Sequence, residues 1–178
     1  DVRKRGVTPA SSRVGGGHAH VGLMIYQGTN FPPEYRGQVF TTNLHGRRVN
    51  IDRLERRGSG YVGKHAPDFM RTADPWFRAI EIQAGPDGGV YILDWSDVGE
   101  CHENDGVHRT SGRIYKITYG PPPTAPAIDL AQASLAHLVA LHTHANEWFP
   151  RQARLQLLDR ARNPADLRSA TRDLRSVF

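Results

Sequence analysis

Eight side chains of this 178-residue chain carry chemistry that asks for a setting: His18, His20, His45, Arg78, Asp94, Asp97, His102 and His108. His18 and His20 are two apart, so on a strand they share one face. That spacing suits metal ligation, and Asp94 or His102 would complete a zinc or iron shell. Loop histidines more often act as hydrogen-bonding groups, so no metal is assigned. Arg78, between Phe77 and Ala79, can hold a carboxylate in its planar fork or pair with Asp74 or Glu81. Asp94-Trp95 closes an apolar run and suits a loop-holding role better than catalysis. Cys101-His102 beside Glu100 lacks the partner spacing of a thiolate site. As the single cysteine, Cys101 excludes an internal disulfide and a CxxCH haem attachment.

The elements that must position these residues are short strands. Residues 76–83, 90–93 and 113–119 read as three of them. Gly85-Pro86-Asp87-Gly88-Gly89 joins the first pair as a tight turn, because Pro presets φ while Asp and Gly accept corner conformations. The second connection, 94–112, is long and polar. Upstream the same order runs through 18–26, 37–43 and 47–54, where Val49 and Ile51 alternate with Asn50 and Asp52. Residues 61–70 form a weaker fourth strand, with Pro67 placing it at an edge. A unit of about fifty residues thus repeats, which points to blades of a β-propeller, with an antiparallel sandwich as the alternative. Chain direction alternates within a blade, so the polar connections gather at one face and the Gly/Pro turns at the other. All eight candidates fall near the polar face.

Composition shifts at Gly120-Pro121-Pro122-Pro123. Residues 1–120 read as the β part, 121–127 as a Pro-rich linker and 128–178 as a helical segment. Asp129 with Gln132 has the form of a capping box, and Leu135, Leu138, Val139 and His142 follow at helical spacing. Asn146 is expected to cap a second helix burying Trp148, Leu155 and Leu158, with Pro150 disturbing its first turns. Asn163-Pro164 opens a third helix. The fold class is therefore mainly β with an α-helical C-terminal segment: a partial β-propeller of about two antiparallel blades plus the start of a helical repeat.

A formal charge of +5 and a pI near 9.7 invite a nucleic-acid reading, but the basic residues are scattered. Only Arg47, Arg48, Arg53, Arg56 and Arg57 cluster, without aromatic-interleaved, zinc-finger or helix-turn-helix patterning. They read as a solvated surface, and no nucleic-acid partner is expected. No run reaches the roughly 18 apolar residues of a membrane helix. Starting at Asp1 and stopping inside a helical pattern, the chain reads as a piece of a longer protein whose localisation signals lie elsewhere.

The segments GHAH…MIY, FPPEYRGQVFTTNLHGRRVN, DPWFRAIEIQAGPDGGVYILDWSD and HRTSGRIYKI resemble the closing blades of a glucose/sorbosone dehydrogenase-like propeller. The similar proteins are membrane-bound, haem-containing dehydrogenase-like proteins of planctomycete type. HANEWFPRQARLQLLDRA resembles the HEAT-type helices that follow the propeller there. The resemblance implies oxidation of a carbohydrate or polyol with pyrroloquinoline quinone (PQQ) and calcium, at the periplasmic side or cell envelope. A cytochrome c domain, bearing haem c and lying beyond this chain, would accept the electrons, and membrane association would come from other parts. By motif position Arg78 and His45 would contact the cofactor, and Trp76 stands where a second basic residue is expected. His18, His20, Asp94 and His102 would border the substrate. The general-base His of the relatives would precede Asp1, so this piece alone is expected to be inactive. A non-catalytic propeller binding carbohydrate or protein, with the helices as docking surface, is the alternative.

Overall fold

A computed structural model of the chain describes residues 9–13, 15–16, 19–98, 110–124, 126–162 and 164–177. The fold is mainly β with an α-helical C-terminal segment. After a short helix α1 (Pro9–Ser12), one sheet is built from β1 (His20–Ile25), β2 (Val39–Asn43), β3 (Arg48–Arg57), β4 (Gly60–His65) and β5 (Met70–Arg71). A second sheet holds β6 (Ala79–Ala84), β7 (Val90–Asp94) and β8 (Arg113–Ile117). Both are antiparallel meanders in sequence order, with β5 pairing back on β3. Two consecutive meanders of this kind form a partial propeller of two blades.

The chain divides into two compact units, and the division does not follow one point in the sequence. The first holds both sheets. The second holds the three C-terminal helices together with Gln27–Pro32, Gly85–Gly89 and the strand-free stretch from Thr118, while α1 belongs to the first.

In the first unit, alternation decides what is buried. Met24, Phe40 and Ile51 lie opposite one another across β1, β2 and β3 and are all buried. Phe40 stacks edge-on with Phe69 at 5.0 Å and lies near Tyr26 and Tyr35. In the second sheet Phe77 and Ile82, with Val90 and Ile92, form the interior, and Phe77 meets Tyr115. The expected fourth strand is interrupted. Backbone pairing to β3 persists at Ala66 and Phe69, but Pro67, lacking an N–H, sits in the step between β4 and β5. That detour turns Asp68 inward.

The sheets come close together where each first strand is irregular. The register slips at Val21/Leu23 in β1 and at Ala79/Glu81 in β6. Gly22 has φ +57, and a Cβ there would lie 2.9 Å from the Glu81 Cα and 3.1 Å from the Ile80 carbonyl oxygen. At the same bulge the Thr42 hydroxyl donates to the Val21 carbonyl.

In the second unit, α2 (Leu135–Ala140) runs into a 3-10 turn (Leu141–Thr143), and α3 (Trp148–Arg160) and α4 (Pro164–Arg175) follow. The capping-box reading fails. Asp129 accepts from the Ala131 N–H and closes a turn, while the Ser134 hydroxyl caps α2 through the His137 N–H. In α3 the buried stripe is Phe149, Ala153 and the partly buried Leu157, at i, i+4 and i+8; Leu155 and Leu158 are 57% and 72% exposed. Pro150 is buried in the first turn, where its missing N–H would have had no helical partner. Pro164 opens α4 as expected, and Asn163 lies outside the described residues. Among the described residues no helix is long and apolar enough to cross a membrane.

Replacing Gly22 by Ala combines a left-handed penalty with a backbone collision and should cost about 2–4 kcal/mol. Gly37→Ala, with φ +77 but nothing within 4 Å of its added Cβ, should cost only the conformational part, about 1–2 kcal/mol. Urea unfolding midpoints of the two variants check the difference; equal losses would mean that the sheets can part at Gly22 without penalty.

Candidate functional site

Each meander ends its second strand on a residue that organises the polar connection. In the second sheet that residue is Asp94, whose side chain is fully buried. Oδ1 accepts from the Arg78 N–H at 2.7 Å and the Ser96 N–H at 2.9 Å. Oδ2 accepts from Arg113 Nε at 2.8 Å, and Nη2 approaches the same oxygen at 2.6 Å. Arg113 is the cross-strand partner of Asp94, so register alone brings the pair together. The same guanidinium continues to Asp74 at 2.6 Å, and Asp74 accepts from the Trp76 N–H.

The first sheet repeats the plan with different chemistry. Asn43 closes β2 and faces Arg48 at the start of β3. Its Oδ1 accepts from the Gly46 N–H, and its amide nitrogen lies within 3.0 Å of Gly15 O, Gly16 O, Asn50 Oδ1 and His20 Nε2. Asp68, 4% exposed at its side chain, binds the Asn50 amide, Arg48 and Arg71. The equivalence extends to the strand before: Leu44 N–H donates to Ala19 O as Trp95 N–H donates to Arg78 O. Arg48 and Arg113 thus open equivalent third strands, but Arg48 pairs with Asp68, which follows its strand, and Arg113 with Asp74, which precedes β6.

The two networks border each other. Arg47, with φ 50, carries its charge close enough to influence both Asp74 and Arg78. The hydrogen bond from Trp76 N–H and the Arg113 guanidinium hold the Asp74 carboxyl below its ordinary value, against the opposing effect of burial. Burial is the largest influence on Arg113, but its bonds to Asp74 and Asp94 raise it overall. Burial, aided by Arg47, pushes Arg78 down, and Asp97, Asp94 and Asp74 partly restore it.

The sequence-predicted residues fare unequally. Arg78 and Asp94 are brought together, as are Asp97 and the carbonyl of Trp76 through the Asp97 N–H. His20 stands at the exposed start of β1 against Asn43, and His45 is half-buried in the β2–β3 turn. His18, Cys101, His102 and His108 lie outside the described residues. Among the described residues no group of three His, Cys, Asp or Glu side chains is placed to hold a metal ion. Sequence reasoning missed Asn43, Arg48, Asn50, Asp68 and Arg113, and assigned Asp74 no role beyond an optional pairing with Arg78. Superposing the two repeats would have found the strand-end pairs, since each occupies the last position of a second strand and the first of a third.

A quinone carboxylate clamp needs an available guanidinium. Arg78 Nη1 donates to the carbonyls of Pro75 and Phe77 and Nη2 to that of Val98, and the residue is 8% exposed. It fastens the β6 approach to the loop after β7, and these contacts do not fit a PQQ-binding role.

A family model described as a domain of unknown function, DUF7133, matches residues 4–120. The chain belongs to the DUF7133 family. The DUF7133 match takes in both sheets and both strand-end networks and stops ahead of Pro121. No curated protein and no solved structure matches the chain.

Asp94→Ala would leave two buried N–H groups without their acceptor and Arg113 with Asp74 as its remaining carboxylate. The loss should be about 3 kcal/mol, short of a fully buried pair because Arg113 is 34% exposed at its side chain. Thermal unfolding of the variant checks it. Asp74 makes a separate, pH-dependent contribution. Its folded value lies below the unfolded one, so its stabilisation is present above about pH 4 and is lost as pH falls through the folded value. Asp74→Asn should therefore flatten the acid limb of the stability curve relative to wild type, and an unchanged limb would remove Asp74 from the account.

Proposed function

We propose that this chain is a non-catalytic wall of a glucose/sorbosone dehydrogenase-like propeller, presenting a fixed aromatic platform to a carbohydrate or polyol. The observation that carries this reading is Trp95, 57% exposed and directly after the fully buried Asp94. Its backbone is held through the Arg78 carbonyl on one side and the Asp94 turn on the other. An exposed Trp on a backbone held in this way suits a ring with an apolar C–H face. The charged groups underneath are committed to one another, which suits binding better than proton transfer, since a general acid or base must be available to its substrate.

The rival reading is sugar or polyol oxidation with PQQ and calcium, passing electrons to a cytochrome c domain at the cell envelope. It draws on the resemblance of the GPDGG…YILDW and GRIYKI segments. The engagement of Arg78 by three carbonyls weighs against it.

Titrating the protein with glucose and sorbitol while following tryptophan fluorescence separates the two. Saturable quenching that disappears in Trp95→Ala but persists in Trp148→Phe is the expected result. Quenching that survives Trp95→Ala, or dye reduction with sugar once PQQ and calcium are added, would overturn the proposal.

A further inference from the structure

The arginines that read as a solvated surface occupy a structural feature of their own. β2 accompanies β3 only as far as Asp52, opposite Val39. Beyond it β3 pairs with β4 alone, from Arg53↔Lys64 to Arg57↔Gly60. Residues 53–57 and 60–64 are all exposed. Five rungs at the antiparallel rise make a two-stranded ribbon reaching about 17 Å past the end of the β2 ladder. A free hairpin of this length is marginal in water, and here its base is part of a sheet.

The ribbon sorts its side chains by face. Arg53, Glu55 and Arg57 alternate on one side of β3, with Lys64 and Val62 opposite the first two. Glu55 is neutralised by Lys64 at 2.7 Å. Among the described residues Arg53 and Arg57 have no acidic partner, so two uncompensated guanidinium groups flank a closed ion pair. The other face carries Leu54 over Gly63, and Arg56 above the Tyr61 ring at 5.9 Å, with Tyr61 62% exposed. Arg and Tyr are the residue types that most often anchor protein interfaces.

The backbone adds direction. Alternate N–H and C=O groups of residues 53–57 turn to β4, and the others turn to the edge that β2 has left. An open strand edge is a template for another strand, and its charge decides which strand. A second copy of the same edge would set arginine against arginine and be repelled. Carboxylates, by contrast, match the guanidinium fork. We infer that the open edge of the β3–β4 ribbon takes, by strand addition, an extended segment of a partner protein carrying Asp or Glu at alternate positions.

The test uses the full chain and a fluorescein-labelled octapeptide of alternating Glu and Val, read by anisotropy. The expected result is saturable binding that weakens as salt rises, falls at least tenfold in Arg53→Glu/Arg57→Glu, and is unchanged in Arg168→Glu/Arg172→Glu on α4. Circular dichroism checks that the ribbon variant keeps its strand signal. If it does not, Arg53→Gln/Arg57→Gln replaces it, with the same tenfold loss expected. Equal binding of an alternating Lys–Val peptide, or an affinity indifferent to Arg53 and Arg57, overturns the inference. So does tighter binding of phosphatidylglycerol vesicles or duplex DNA than of the peptide through the same arginines.

Discussion

A carboxylate taken wholly out of water is tolerable only when its lone pairs are all matched, and Asp94 meets that demand with two backbone N–H groups and one guanidinium. Much of the polar end of the second sheet follows from that requirement. The Arg78 N–H fixes where β6 begins, the Ser96 N–H fixes the first bend after β7, and Arg113 fixes where β8 enters. Because Arg113 has donors left over, it carries the constraint on to Asp74 and so to the Trp76 backbone. The first sheet solves the same problem with an amide. Asn43 offers both a donor and an acceptor, which suits a position surrounded by glycine carbonyls and a turn N–H, and the charge is moved outward to Asp68.

That arrangement shapes what the face can do. Side chains whose type first drew attention, Arg78 and Asp94, are spent on backbone groups and on ion pairs. What remains accessible is the residue that the network holds in place, Trp95, and, in the first sheet, the exposed His20 and Arg47. A scaffold that satisfies its own charges is stiff, and stiffness at a binding surface lowers the entropic cost of ordering a ligand.

The repeat, the meander order and the GPDGG turn were legible because they rest on local rules. Gly88 N–H returns to Gly85 O, the Asp87 carboxylate accepts from Gly89 N–H, and Gly88 takes φ +77, as turn chemistry requires. The polar face was legible too, since alternating strand direction places connections at alternate ends. The partners were not. Asp68 approaches Arg48 across twenty residues only because Pro67 breaks the ladder, and nothing in the local pattern announces an inward carboxylate there. Likewise Leu155 and Leu158 read as core in α3 by hydrophobicity, whereas small Ala153 between Phe149 and Leu157 is what lets the helix pack. Side-chain identity reported which residues had chemistry; register decided which of them met.

Asn146 was expected only to begin a helix, and it does more. Its Oδ1 accepts from the Trp148 N–H, while its amide nitrogen donates to the carbonyls of Gly85 and Pro86, all with 1% of the residue exposed. One amide group therefore belongs to two pieces of backbone sixty positions apart. Neither can open without orphaning the other's partner, so local unfolding of the α3 start and of the glycine turn is a single cooperative event. In hydrogen exchange the amides of both would report one common opening free energy, although neither segment is a neighbour of the other in sequence.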